Sequence, residues 1–100
     1  IEKALAGPAA ADYFSAAQYF YQTNGDMTKA LAWINKAVED TPKGKDAPFW
    51  YLRLKSLIQA KSGDKKGAIA TAKESLALAT KAGNGDYEKM NKDSIAEWSK

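Results

Sequence analysis

Few residues in this chain of 100 could perform acid, base or nucleophilic chemistry. Histidine and cysteine are both absent, so the sequence has no imidazole base, no thiolate nucleophile and no disulfide. Twelve carboxylates remain, of which Glu39 and Asp40 form the one adjacent pair. Neighbouring side chains on a helix point about 100° apart, so this pair does not make a two-carboxylate catalytic site. The sequence therefore predicts that this chain is not an enzyme.

Aspartates placed at breaks in the apolar pattern are expected to cap helices. These are Asp26, Asp46, Asp64 and Asp86. A carboxylate at a helix start accepts hydrogen bonds from unpaired N–H groups and faces the positive end of the helix dipole. The run 83–86 also resembles a ligand loop, but it lacks the lysine of a phosphate loop and the alternating oxygen ligands of a calcium loop. We expect it to be a turn, and we expect no cofactor and no metal.

Basic side chains are concentrated in the middle of the chain. Residues 41–66 contain seven basic and two acidic side chains, a net charge of +5, whereas the whole chain carries +3. No recognition-helix pattern accompanies them, so we expect a solvated face that could receive an acidic peptide and no nucleic-acid partner. No segment approaches the roughly 18 consecutive apolar residues of a spanning helix, so membrane insertion is not expected.

Glycine and proline divide the chain into runs with helical periodicity. Nineteen alanines, against eleven valines, isoleucines and threonines together, favour helix over sheet. Short connections place successive helices antiparallel, as hairpins. The predicted fold class is therefore all-α, with five helices: hairpins at about 8–40 and 47–82 and a capping helix at about 87–99. Pro8 and Pro48 are expected in first helical turns, and Gly25 is expected to end the first helix in the left-handed conformation.

The two hairpins form an internal repeat. Shifting the sequence by 38 positions places Gly25-Asp26 on Gly63-Asp64 and Ala30 on Ala68. The same shift aligns three further apolar pairs, Tyr13 with Tyr51, Phe20 with Ile58 and Val38 with Leu76. Small residues recur where two helices must approach closely, as stacked helix hairpins require.

The first hairpin resembles the tetratricopeptide repeat, whose pattern alternates small and large residues around a glycine turn and ends in proline. The residues at the pattern's spacings are Phe14, Ala17, Tyr21, Gly25, Ala30, Ile34, Ala37 and Pro42. The second unit keeps Gly63, Ala68 and Ser75. The resemblance covers roughly residues 9–82 and implies stacked hairpins whose first helices line a concave groove for a protein or peptide partner.

The resemblance also implies which residues face that groove. They are Asp12, Ser15, Tyr19 and Gln22 on the first helix and Trp50, Arg53 and Leu57 on the third. Arg53 is the one arginine and the best candidate to bind a carboxylate in a forked geometry. The chaperone-tail clamp of some tetratricopeptide domains needs lysine and asparagine where this chain has Ser15 and Tyr19, so that particular function is not expected.

The runs 30–37, 49–53 and 94–98 are also similar to the C-terminal helical part of an uncharacterised family of exported bacterial proteins. That resemblance implies a periplasmic or cell-envelope location and makes residues 1–7 the end of a linker from an upstream domain. The leading hypothesis is a non-enzymatic scaffold that binds a protein or peptide. The alternative is a structural tail that packs on its own upstream domain or on a second copy as a homodimer. A third hypothesis places an enzyme activity in the upstream domain.

Overall fold

Five α-helices make up the described part of the chain. A computed structural model describes residues 10–39 and 48–100. The helices are α1 (Ala10–Gln22), α2 (Met27–Glu39), α3 (Phe49–Lys61), α4 (Lys65–Ala82) and α5 (Gly85–Trp98). Neither of the two described ranges contains a strand. The all-α fold and the five helices are confirmed.

The helices pack mainly on their neighbours along the chain. α1 pairs with α2 and α3 pairs with α4, while α2 also lies against α3 and joins the two hairpins. α5 packs on α4 and contacts α3. Helices α1, α3 and α5 consequently lie side by side, with smaller contacts between α1 and α3 and between α3 and α5. This order places one face of three helices on the same side of the domain.

Small residues are fully buried at the repeat-related positions of the second helix of each hairpin. Ala30 and Ala68 are both fully buried, and so are Ala37 and its 38-residue equivalent Ser75. α2 begins at residue 27 and α4 at residue 65, which is the same offset of 38. The main buried cluster lies between the hairpins. It contains Ala17, Ala30, Ile34, Ala37, Tyr51, Leu54 and Ile58.

Two of the four predicted aspartate caps are confirmed. Oδ1 of Asp26 accepts hydrogen bonds from the backbone N–H groups of Thr28 and Lys29 at 2.9 and 3.2 Å. Oδ1 of Asp64 accepts one from the N–H of Gly67 at 2.9 Å. These bonds satisfy donors that the first turns of α2 and α4 would otherwise leave unpaired. Asp46 lies outside the described residues.

The predicted cap of α5 by Asp86 is wrong. Asn84 occupies the cap position, and its Oδ1 accepts a hydrogen bond from the N–H of Tyr87 at 3.0 Å. Because α5 begins at Gly85, Asp86 lies inside the first turn, where its charge still favours the helix dipole. α3 also begins later than predicted, at Phe49 and not near residue 47, so Pro48 is the cap residue and not part of the first turn. Pro8 lies outside the described residues.

The turn between α1 and α2 uses a different residue from the one predicted. The left-handed backbone belongs to Asn24, with φ 56°, and not to Gly25. Asparagine tolerates this conformation better than most residues. Gly25 is required for another reason, because a Cβ atom there would lie 2.6 Å from Cδ1 of Phe20. In the turns after α3 and α4, Gly63 and Gly83 do adopt the left-handed conformation.

Candidate functional site

A groove of about 230 Å³ lies on the face shared by α1, α3 and α5. Its lining is mostly apolar and contains one charged side chain. The lining residues are Phe14, Gln18, Trp50, Arg53, Leu54, Leu57, Tyr87 and Met90. Trp50 is 43% exposed and Met90 is 38% exposed, so two large apolar side chains remain open to solvent beside the groove.

Three of the seven predicted site residues line this groove together. They are Trp50, Arg53 and Leu57, which lie on α3 at successive helical turns. A spacing of three or four residues places side chains on one face of a helix, so a single face of α3 forms the groove floor. Tyr51, next to Trp50, points the other way into the core.

The four predicted residues on α1 do not line the groove. Asp12, Ser15, Tyr19 and Gln22 are all exposed on α1, and Tyr19 is 65% exposed. Phe14 and Gln18, four residues apart, form the α1 side of the groove instead. The difference is a rotation of α1 by about one residue, or roughly 100° about the helix axis.

Aromatic rings connect the three helices beneath the groove. The ring of Phe14 on α1 stacks on that of Tyr51 on α3, with centroids 4.8 Å apart. At the other end, the ring of Phe49 on α3 meets that of Tyr87 on α5 edge to face at 4.9 Å. Trp50 lies edge to face with Phe49 at 5.0 Å. Such pairs have defined geometries, so they fix the spacing of the helices that form the groove walls.

Arg53 is bound to α5 as well as facing the groove. Its Nη1 donates hydrogen bonds to Oγ of Ser94 at 2.7 Å, to the carbonyl oxygen of Met90 at 3.3 Å and to Oδ1 of Asn91 at 3.4 Å. Arg53 therefore has a structural role in addition to the ligand-binding role that was predicted for it. A truncation of Arg53 would alter the groove wall along with its charge.

A chain of hydrogen bonds continues from Arg53 into the core. Asn91 is fully buried, and its Nδ2 donates to Oγ of Ser75 at 2.9 Å. Ser75 is also fully buried and donates in turn to the carbonyl oxygen of Phe49 at 2.7 Å. This chain joins α5 to α4 and to two positions on α3, Arg53 and Phe49. Because every member has a partner, burying these polar groups carries little penalty.

Arg53 is the one charged side chain in the groove lining. Burial lowers the pKa of the Arg53 guanidinium, while Tyr21, Tyr87 and Asp93 raise it. An arginine side chain stays charged at neutral pH under such shifts. Within the described ranges, no carboxylate lies within 4.0 Å of this guanidinium. An anionic group entering the groove would therefore not have to displace an existing ion pair.

The sequence interpretation predicted no groove residue on α5, where Tyr87 and Met90 line the groove. The 38-residue offset could have predicted that α5 repeats α3, because it also places Phe49 on Tyr87, Arg53 on Asn91 and Ser56 on Ser94. α5 thus repeats the pattern of α3 and takes the place of a further first helix. The burial of Asn91 could not be predicted from its polar residue type, since it depends on hydrogen-bond partners on α3 and α4.

The described residues contain no group of three or more acidic side chains placed to hold a metal ion. None of the described helices combines the length and the apolar character needed to cross a membrane. No protein-family model, curated protein or solved structure matches the chain. The likeness to tetratricopeptide repeats and to the exported bacterial family stays a prediction from the residues.

Proposed function

We propose that this chain is a non-enzymatic module that binds a protein or peptide segment in the groove between α1, α3 and α5. The observation that carries the proposal is the position of Trp50, Met90 and Arg53 around one open groove. Tryptophan and arginine are the residue types that most often dominate binding energy at protein interfaces. Exposed apolar side chains beside a concave surface are typical of interaction sites.

The lining indicates what kind of segment would fit. An apolar or aromatic side chain would pack against Trp50, Leu57 and Met90 and remove their exposed surface from water. A carboxylate beside that side chain would lie near Arg53, which forms no salt bridge in the described part of the chain. Since Nη1 is engaged by α5, the carboxylate would use the remaining N–H donors of the guanidinium.

A peptide-display selection against the full chain tests this proposal. Sequences that combine an apolar side chain with an acidic one are expected to be enriched. Binding of a selected peptide is expected to fall at least tenfold in Trp50→Ala and Met90→Ala, which remove groove side chains. Tyr19→Ala is the matched control, because Tyr19 is more exposed than either and does not line the groove. The proposal is wrong if no peptide is enriched, or if Tyr19→Ala weakens binding while the two groove variants do not.

The alternative role, a tail that packs on its own upstream domain or on a second copy, uses the same exposed side chains. Trp50, Met90 and Tyr19 are the large apolar side chains left open on the described surface. Sedimentation equilibrium of the chain separates self-association from peptide binding. A dimer that Trp50→Ala dissociates would favour the alternative, whereas a monomer at high concentration would exclude a second copy as the occupant of this surface.

A further inference from the structure

We propose that α5 is released from the domain as a unit while α1 to α4 stay folded, and that this release opens one wall of the groove. The release itself stands on the packing of α5 alone. Its effect on ligand binding rests on the proposed function, because α5 supplies Tyr87 and Met90 to the groove lining.

The first observation is that α5 has no fully buried apolar side chain. Its one fully buried side chain is polar, that of Asn91, whereas Tyr87, Ile95 and Trp98 are only half-buried. α3, by comparison, buries four large apolar side chains. These are Tyr51, Leu52, Leu54 and Ile58. Helices with few buried apolar contacts open at lower free energy than the core elements of the same domain.

The second observation is that polar contacts from two helices fasten the middle of α5. Arg53 on α3 and Ser75 on α4 hold α5 through Met90, Asn91 and Ser94. Water replaces such hydrogen bonds when a helix separates, so each makes only a modest net contribution to holding α5. The two ion pairs of the described residues, Lys89 with Asp93 and Lys100 with Glu97, are local to α5 and its C-terminal end. They therefore stabilise α5 as a helix without attaching it to the domain.

The third observation is the connection between α4 and α5. It consists of Gly83, which has a left-handed φ of 76°, followed by the cap residue Asn84 and by Gly85 at the start of α5. A Cβ atom at either glycine would meet nothing within 4 Å, so no neighbouring group crowds these two positions. Backbone rotation at these few positions is sufficient to swing a helix away.

Release of α5 changes the groove in a defined way. Tyr87 and Met90 leave, the ring of Phe49 loses its edge-to-face partner, and Arg53 loses all three acceptors. A ligand that contacts Met90 binds the docked form better, so it shifts the population toward docked α5. By linkage, variants that favour release weaken such a ligand without touching it.

Native-state hydrogen exchange of the full chain, followed by NMR at low denaturant concentrations, tests the release without any ligand. Amides of α5 are expected to share one opening, with a smaller free energy and a weaker denaturant dependence than amides of α3 and α4. The proposal is overturned if α5 exchanges with the same free energy and the same denaturant dependence as α3 and α4, because that result means that all of them open together.

Two variants sharpen the test. Asn91→Ala and Ser75→Ala each break the buried hydrogen-bond chain from a different helix. Each is expected to speed exchange in α5 by roughly tenfold to a hundredfold, because the variant leaves a buried polar group unpaired while α5 is docked. Amides that exchange only through global unfolding are expected to speed up as well, and α5 is expected to keep the smaller opening free energy and the weaker denaturant dependence. Lys92→Ala, an exposed substitution on α5, is the control and is expected to leave exchange within about threefold. The proposal is overturned if neither variant speeds exchange in α5, because release must break these bonds. Acceleration in α5 with its gap to α3 and α4 preserved supports release even if no peptide binds the groove.

Discussion

Nδ2 of Asn91 lies 2.9 Å from Oγ of Ser75, and both side chains are fully buried. The bond joins α5 to α4 at a position where the first hairpin has Ala37, the 38-residue equivalent of Ser75. The two hairpins thus use the same small, buried position differently. In the first it allows close packing alone, and in the second it also provides a hydrogen-bonding group for the helix that follows.

Giving Ser75 the residue type of Ala37, or Ala37 that of Ser75, should lower the free energy of unfolding in either case. Ser75→Ala leaves the Nδ2 of Asn91 without its acceptor and the carbonyl of Phe49 without its donor, so we expect a loss of about 1–3 kcal/mol in the free energy of unfolding. Ala37→Ser places a hydroxyl in a fully buried apolar site, and we expect a similar loss of about 1–3 kcal/mol. Urea unfolding followed by circular dichroism measures both. A neutral Ser75→Ala would mean that this bond does not hold α5.

The start of α5 can be tested by comparing its two polar residues. Asn84→Ala removes the hydrogen bond to the N–H of Tyr87, and we expect a loss of about 1 kcal/mol that is insensitive to salt. Asp86→Ala removes only a favourable charge in the first turn, and we expect a loss of about 0.3–1 kcal/mol that salt screens. Thermal unfolding at low and high salt distinguishes the two effects. If Asp86→Ala were the more damaging change at high salt, Asp86 would be the cap.

The connection between α4 and α5 contains two glycines. Substitution by alanine should lower the stability of the domain at one of them and raise it at the other. Gly83 has a φ of 76°, so Gly83→Ala forces a side chain into the left-handed region and should cost about 1–2 kcal/mol. Gly85 is the first residue of α5 and has open space around it. Gly85→Ala should therefore stabilise the domain by about 0.4–1 kcal/mol, because alanine lowers the conformational entropy of the unfolded chain. Chemical unfolding of the two variants side by side measures the difference. Destabilisation of equal size in both would contradict the assigned backbone conformations.

The fold class was predictable because it depends on residue types and spacings that can be read directly from the sequence. Alanines at spacings of three and four, with Ala30 and Ala68 at the repeat distance, specify helices that pack closely. The turns were predictable in place but less so in detail. Asn24 and Asn84 each took a role assigned to a neighbour, because asparagine suits both the left-handed turn and the helix cap.

The candidate site was only partly predictable. Trp50, Arg53 and Leu57 share one face of α3 at helical spacing, so their position followed from the repeat. The rotation of α1 did not follow, because several consecutive aromatic residues leave more than one face apolar, and Phe14 rather than Ser15 reached the groove. The burial of Asn91 was not predictable for a different reason. A polar residue shows no sign of burial until its partners on other helices are known.

A two-dimensional NMR titration of the labelled full chain with a display-selected peptide tests the central claim most directly. We expect the largest shifts at the groove face, around Phe14 and Gln18 on α1, the indole of Trp50 on α3, and Tyr87 and Met90 on α5. Trp50→Ala should abolish these shifts while Tyr19→Ala leaves them in place. Shifts centred instead on the outer face of α1, around Tyr19, or on the exposed face of α4 would contradict the assignment of the groove as the binding site.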